Sequence, residues 1–298
     1  MIKLPELYNR KSKAIEYENA YKVEGLAFLY GTAFGKAITG TVLKRHFVSK
    51  MYGSWIKNSK SISQIPKFIE HYGININEIK RDIKSFKSFN DFFIRELKDG
   101  SRPIDNNSSH LISPADSRLL VLDLSKHESL PVKGYWYKLE ELIKDKKFIE
   151  DYANGLCFIY RLSPSDYHRY CYIDNGNQEP VKHLRGVLHS VNPIALSATK
   201  SLLAKNYREL TILHTENFGD VLQLEVGAML VGKIIQHHMK GHTFKRGEEK
   251  GYFEYGGSTI IQFFKKGTVK IDNDIDEYSS RKIETLVKMG EKVGIREL

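Results

Sequence analysis

Short apolar runs separated by turn residues dominate the sequence after Arg102 and Pro103. Examples are SRLLVLDL, GLCFIYRL, DVLQLEVGAMLVGKII and STIIQFF. Their β-branched and aromatic content, at this short spacing, predicts strands rather than helices. Only residues 192–206 in this part of the chain suggest a helix. We therefore predict a predominantly antiparallel β catalytic domain over residues 101–298.

Residues 1–100 are predicted to form a helical region, which makes the fold class α+β. Residues 25–43 are apolar, but Lys36 and several glycines argue against a membrane span. Two interpretations stay open, a helix packed on the catalytic domain or an element at a membrane surface. A second helical region is expected over residues 64–84. Ser88 and Asp91 then form a capping-box-like pair at the start of another helix, which Gly100 would end.

The charge balance limits the classes of partner. Lys and Arg number 46 against 36 Asp and Glu, giving a formal charge of +10. This surplus favours acidic partners such as nucleic acid, anionic lipid or anionic substrates, without choosing among them. The two cysteines, Cys157 and Cys171, form no C-x-x-C pair and exclude a disulfide framework. With no signal-peptide pattern at the N-terminus, we expect a reducing cytoplasm.

Three polar motifs interrupt the β region: SPADS with Asp116, SPSDYHRY with His168, and GGST with Ser258. Taken singly, each is typical of an ordinary turn or surface loop. Together they supply an acid, a base and a hydroxyl nucleophile, a set that recurs on unrelated folds in any chain order. GGST lacks the second half of the G-x-S-x-G elbow of many serine hydrolases.

The two glycines before Ser258 suggest a different target for its hydroxyl. Attack on the carbonyl carbon of Gly257 would require a sharply distorted backbone, which glycine tolerates. The product of this N→O shift is an ester. Elimination from the ester leaves dehydroalanine at position 258, which hydrolyses to a pyruvoyl group. Such a reaction would cleave the chain between Gly257 and Ser258.

With these motifs in order, the sequence resembles the phosphatidylserine decarboxylases, which are pyruvoyl-dependent, self-cleaving proenzymes. The resemblance rests on SFNDFFIRELKDGSRPID, SPADS, DYHRY, NFGDVLQLEVGAMLVGKI, GGST and VKMGEKVG. It implies that Asp116 orients and charges His168, that His168 removes the proton of Ser258, and that Ser258 becomes the pyruvoyl cofactor. The substrate amine would form a Schiff base with this group, which accepts the electrons released with carbon dioxide.

Two positions depart from the family pattern. Many members carry a second histidine three residues after the first, where this chain has Cys171. We expect His168 to serve as the base, with His189 as the alternative, because a thiol does an imidazole's work poorly near neutral pH. Ser117 stands where the family usually has glycine, which leaves the Asp116 carboxylate in place.

The resemblance also implies partners and a location. It implies phosphatidylserine in an anionic membrane as substrate, a large and a small chain from one precursor, a homodimer, and a peripheral position on the cytoplasmic side of the cell membrane, with no nucleic acid. One alternative is a pyruvoyl-dependent decarboxylase of a soluble amino acid. The others are a non-catalytic basic domain that binds lipid or nucleic acid, and a serine hydrolase.

The remaining histidine cluster, HHMKGH from His237 to His242, suggests a metal site at first sight. No acidic or cysteine ligand lies at a supporting spacing in the sequence, which favours a solvated basic loop. We therefore predict no metal. Cys157 is expected to be a small core residue.

Overall fold

The computed structural model describes residues 5–18, 53–126, 129–132, 135–138, 146–184, 207–227, 233–256 and 258–297. The helices expected over residues 25–43 and 192–206 lie outside these ranges, as do His189 and Gly257. Everything below refers to the described residues.

The described chain is mostly strand. The strands, in order, are β1 Glu6–Asn9, β2 Ala14–Tyr17, β3 His110–Ile112, β4 Ser117–Asp123, β5 Ser129–Val132, β6 Tyr135–Lys138, β7 Leu156–Leu162, β8 Arg169–Cys171, β9 Gly176–Gln178, β10 Lys182–Leu184, β11 Arg208–Thr215, β12 Gly219–Gly227, β13 Ile234–Gln236, β14 His242–Phe244, β15 Glu249–Phe253, β16 Ser258–Phe264, β17 Val269–Ile271, β18 Glu284–Val287 and β19 Lys292–Arg296. The α-helices are α1 Ile65–Tyr72, α2 Phe89–Phe93, α3 Lys146–Tyr152 and α4 Asn273–Ser280. The α+β class and the strands predicted from the four apolar runs are confirmed.

One large sheet organises the molecule. Its strand order is β14-β9-β11-β12-β16-β7-β4-β18-β1-β2, with β10 added to β11. All its pairs are antiparallel except β1 with β18. Strand β16 lies inside the sheet, between β12 and β7, and is buried along its whole length. The strand that begins with Ser258 is therefore surrounded by protein on both edges.

A smaller sheet of strands β13, β15 and β8 shares a hydrophobic core with the large one. Side chains of the small sheet, such as Tyr170 and Phe253, belong to the same buried cluster as Tyr160 and Ile260 of the large sheet. Full burial of one such large apolar side chain contributes about 1.5–3 kcal/mol. This core fixes β8, and hence the segment that leads into it, against the large sheet.

The helical part of the described chain consists of short helices and 3₁₀ turns. Helix α1 ends at Gly73, whose φ of 60° suits glycine, so the helix predicted over residues 64–84 stops early and 3₁₀ turns follow. Ser88 caps α2, its Oγ accepting from the Asp91 N–H at 3.1 Å, as predicted. The helix ends at Phe93, well before Gly100. A core of aromatic rings joins these elements, formed by Phe68, Phe86, Phe89, Phe92 and Phe93.

The first described residues form strands, so the expectation of a helical N-terminal region holds only in part. Strand β1 pairs in parallel with β18, and β2 closes a hairpin at the edge of the large sheet. In the hairpin turn, Arg10 donates to Asp272 at 2.9 Å and to Asp274 at 2.7 Å. The chain's beginning is thus tied to its last forty residues. A domain boundary near residue 100 stays a prediction.

In the segments described above, no helix combines the length and the apolar character that crossing a bilayer requires.

Candidate active site

Ser258 is the first residue of β16. It lies opposite Gly227 on β12 and Leu162 on β7. The residue is fully buried, and its Oγ has no hydrogen-bond partner among the described residues. Two residues earlier, Gly256 has a φ of 148°, a backbone conformation that favours glycine. A buried, unpaired hydroxyl therefore lies next to a glycine that the local backbone requires.

His168 lies in the connection between β7 and β8, and its ring orientation is set by the main chain. Its Nδ1 lies 3.0 Å from the carbonyl oxygen of Asp166. Because a carbonyl only accepts hydrogen bonds, Nδ1 carries the hydrogen and Nε2 presents its lone pair. Nε2 is buried and has no described partner. Burial lowers the pKa of His168 to about 3, so the imidazole is neutral at neutral pH.

The Asp166 side chain holds the turn that carries this carbonyl. Its carboxylate accepts from the Ser163 N–H at 2.7 Å and forms a buried ion pair with Arg118. The N–H of Asp166 in turn donates to the Ser163 carbonyl at 2.9 Å. Asp166 and Arg118 are site residues that the sequence reasoning missed. Asp166 is the first residue of the DYHRY motif, and this is the signal that could have found it.

Asp116 is almost completely buried among cations. Its carboxylate accepts two hydrogen bonds from Arg102 at 2.8 and 2.7 Å, one from Lys288 at 3.2 Å and one from the Met289 N–H at 2.9 Å. Burial opposes ionisation of Asp116, but Lys288, Arg102 and the Met289 N–H outweigh it and hold the pKa below its usual range. The carboxylate is an anion at neutral pH.

Asp116 and His168 are both described, and the His168 Nδ1 donates its hydrogen bond to the Asp166 carbonyl instead of to Asp116. Asp116 acts on the imidazole at a distance, because its negative charge favours the protonated ring. The roles assigned to Asp116, His168 and Ser258 stay predictions. The structure adds that main-chain contacts orient His168.

The sheet register brings Ser258 and Asp116 to the same end of the large sheet. Thr259 lies opposite Arg161, and Arg161 lies opposite Arg118. Since β16 and β4 run in the same direction, Ser258 and the residue before Arg118 are separated by two strand spacings, about 10 Å. Asp116 precedes that residue. Leu162, opposite Ser258, leads into the turn that carries His168.

Comparison with known proteins shows the family of the chain. The family model for phosphatidylserine decarboxylase matches residues 89–295, which include Asp116, His168 and Ser258. A protein of Clostridium acetobutylicum named phosphatidylserine decarboxylase proenzyme 2 is 44% identical over 288 residues, covering 97% of both chains. Phosphatidylserine decarboxylase proenzymes of Clostridium botulinum and Clostridium perfringens are 44% and 42% identical, covering 97–98% of this chain and 99% of theirs.

The chain belongs to the phosphatidylserine decarboxylase family. It is accordingly an enzyme of the carboxy-lyase class. The family match begins at Phe89, the first residue of α2, so this short helix belongs to the shared part of the decarboxylase together with the sheet.

Two buried tyrosines were missed by the sequence reasoning. Tyr160 lies opposite Ile260, on the face of the sheet that carries Ser258, and Tyr170 packs in the same core from β8. Both hydroxyls are buried without a described partner, and burial raises the pKa of both far above its usual value. A buried polar atom without a partner costs about 1–3 kcal/mol. Their concentration near Ser258 marks this face as the candidate active site.

Glu225 extends this polar face. It lies opposite Ile260, diagonally next to Ser258, which places their Cα atoms about 7–8 Å apart. Its carboxylate accepts from Lys250 at 2.9 Å and from Gln223 at 2.6 Å, and all three side chains are buried. This network links β12 of the large sheet to β15 of the small one.

Both cysteines are buried and free, as expected for a chain without disulfides. Burial raises the pKa of Cys171 to about 12. The thiol would hold its proton at neutral pH and accept none from Ser258, which supports choosing a histidine over Cys171 as the base.

The loop histidines do have an acidic neighbour, contrary to the argument from spacing. Glu248 accepts from the His242 Nε2 at 2.7 Å and lies 3.8 Å from the His238 Nε2. The two imidazole rings stack at 3.5 Å with an angle of 10° between them. The three possible ligand atoms lie within 4.8 Å of one another, so the cluster could hold a metal ion, although parallel rings direct their nitrogen lone pairs side by side rather than toward one point. The prediction of no metal stays untested.

Proposed function

We propose that the chain is a self-processing phosphatidylserine decarboxylase proenzyme that converts phosphatidylserine to phosphatidylethanolamine. The observation that carries the proposal is the buried, unpaired Ser258 Oγ next to Gly256. A hydroxyl in this setting has lost its water partners without gaining protein partners, so it is free to react with the adjacent carbonyl. The family names of the relatives support the same conclusion.

The residues of the chain divide the first step as follows. The neutral His168 Nε2 accepts the proton of Ser258 as its Oγ attacks the carbonyl carbon of Gly257. The bond from that carbon to the Ser258 nitrogen breaks, and the nitrogen takes up the proton. The result is an ester between the Gly257 carbonyl and Ser258. Asp116, held as an anion by Arg102 and Lys288, favours the transient positive charge on His168.

The second stage makes the cofactor. Loss of the Cα proton of Ser258 expels the Gly257 carboxylate, and hydrolysis of the resulting dehydroalanine releases ammonia and leaves a pyruvoyl group. The position fits such a group, since it is buried at the start of an inner strand, and the unpaired hydroxyl of Tyr160 belongs to the same face of the sheet. When present, the pyruvoyl carbonyl supplies the electron sink for decarboxylation of an amine-bearing substrate.

The proposal extends to location and assembly. The enzyme would act as a peripheral protein on the cytoplasmic side of the cell membrane and as a homodimer. The basic surplus of the chain, +10, supports attraction to a surface rich in anionic phosphatidylserine.

The intact mass of freshly expressed protein under denaturing conditions, beside Ser258→Ala, tests the proposal. We expect the wild type to separate into fragments 1–257 and 258–298, the smaller carrying a pyruvoyl group in place of serine, and the variant to stay whole. The processed protein should release carbon dioxide from phosphatidylserine vesicles and not from free serine. An uncut wild type, or a cut Ser258→Ala, would refute self-processing at this bond; release from free serine alone would identify the soluble-substrate alternative.

A further inference from the structure

The segment just before the two glycines is held by three successive main-chain N–H groups. Phe253 donates to the carbonyl of His168 at 2.9 Å, and Glu254 donates to the carbonyl of Lys233 at 3.0 Å. The third, Tyr255, donates at 3.0 Å to the side-chain Oδ1 of Asn90. The last contact before the glycines is therefore made by a side chain, which a substitution can remove.

On the other side of the glycines, Ser258 is fixed by the ladder of the large sheet. The backbone is thus anchored at Tyr255 and again at Ser258, with only two residues between. Since those residues are glycines, the conformational freedom of this stretch is concentrated at the bond that Ser258 would attack. Tyr255 is thus the anchored residue immediately before the glycines.

Asn90 lies in the first turn of α2 and is only 5% exposed. A buried amide is costly unless it is hydrogen-bonded, and the Asn90 Oδ1 is used for the Tyr255 N–H rather than for capping its own helix, which Ser88 does. Its position in the helix does not explain the choice of asparagine. Its contact with Tyr255 does.

The same helix also touches the candidate base. The Phe93 ring lies 4.0 Å from the His168 ring, measured between centroids, and 5.0 Å from the Tyr255 ring. Phe89 lies one helical turn before Phe93, and its ring centroid is 5.3 Å from that of Tyr255. Helix α2 thus contacts both His168, the proposed base, and Tyr255, which lies just before the proposed cleavage site.

We propose that Asn90 is a positioning residue for self-cleavage, which holds the Tyr255 N–H so that the Gly257 carbonyl stays within reach of Ser258. This inference rests on the proposed self-processing. Asn90 transfers no proton and touches none of the reacting atoms. Its effect is on alignment, and misplacement of a reacting group by about 1 Å can cost about 100-fold in rate.

The test is the rate of chain cleavage after synthesis, followed by gel and intact mass, in Asn90→Ala, Asn90→Asp and Ser88→Ala. We expect Asn90→Ala to slow cleavage by about 10- to 100-fold. Asn90→Asp keeps an acceptor at the same position, so it should recover most of the rate. Ser88→Ala weakens the same helix but leaves the bond to Tyr255, and should slow cleavage less than about threefold.

A readout that helix stability alone would not move separates alignment from folding. Decarboxylation per mole of processed small chain should stay within about threefold of wild type in Asn90→Ala, because alignment for cleavage is no longer needed once the bond is cut. Cleavage of Asn90→Ala at the wild-type rate, or equal slowing by Ser88→Ala, would overturn the inference. A wild type that stays uncut would instead refute the proposed function, so the two failures are distinguishable.

Discussion

The two faces of the large sheet beside Ser258 differ in how completely their buried polar groups are paired. On the outer face, which carries Thr259, the guanidinium of Arg161 contacts Glu18 at 3.0 Å and Glu284 at 2.6 Å. On the inner face, which carries Ser258, the hydroxyls of Ser258, Tyr160 and Tyr170 have no described partner. Both faces are buried. The contrast supports our proposal that the inner face carries the chemistry, while the ion pairs of the outer face stabilise the fold.

Loss of a single buried polar group should lower the free energy of unfolding more on the outer face than on the inner face. Arg161→Met leaves the carboxylates of Glu18 and Glu284 buried with less compensation, and we expect it to lower the free energy of unfolding by about 3–5 kcal/mol. Denaturant unfolding in a Ser258→Ala background, which keeps the chain whole, measures this effect. Arg281→Met is the matched control, since the Arg281–Glu277 pair is about half exposed and should cost less than about 1 kcal/mol. Equal losses in the two variants would abolish the distinction between the buried pairs and surface ones.

The buried imidazole of His168 predicts a pH dependence. Its pKa of about 3 in the folded protein lies below the ordinary value of 6.5. Between these values the unfolded chain binds a proton that the folded chain does not, so stability falls as the pH is lowered through this window. In the Ser258→Ala background, His168→Gln should remove a slope of up to about 1.4 kcal/mol per pH unit.

Unfolding by urea at several pH values between about 6 and 4.5 measures this slope. His214→Gln, at an exposed position, controls for the loss of a histidine as such. If His168→Gln and its parent lose stability in parallel on acidification, His168 is not held neutral by the fold.

The inner face should tolerate loss of a hydroxyl without loss of stability. Tyr160→Phe removes a buried group that has no partner, so the free energy of unfolding should stay the same or rise by up to about 1 kcal/mol. The matched control is Tyr172→Phe, because the Tyr172 hydroxyl donates to the Gln178 Oε1 at 2.6 Å and its loss should cost about 1 kcal/mol or more. Thermal and urea unfolding compare the two. A Tyr160→Phe variant as destabilised as Tyr172→Phe would mean that the Tyr160 hydroxyl is not unpaired.

Local features of the fold could be predicted because their causes are local. The alternating and β-branched runs predicted β4, β7, β12 and β16, and the serine–aspartate spacing predicted the cap at Ser88. The glycines before Ser258 pointed to an unusual backbone, which the φ of Gly256 bears out. In each case a few neighbouring residues determine the result.

What could not be predicted depends on how the chain turns or on contacts between residues far apart in it. The pairing of β1 with β18 joins segments more than 270 residues apart, and no periodicity within either one reveals it. The Asp166 carbonyl that orients His168 carries no side-chain signature, since every residue has a carbonyl. Glu248 lies in the turn between β14 and β15, and the turn brings its carboxylate to His242, six residues earlier. The contact between Asn90 and Tyr255 likewise spans 165 residues.

The position of β16 inside the sheet has a consequence for unfolding and refolding of the protein. In a chain cut between Gly257 and Ser258, strand β16 of the small fragment would stay paired between β12 and β7, and its β18 between β4 and β1. Separation of the fragments would require dismantling the sheet, so the cut protein would persist as one body. After denaturation, however, recovery would require two separate polypeptides to find each other, at a rate that depends on dilution. Each molecule would thus fold as a single chain only once, before processing, and any later refolding would be bimolecular.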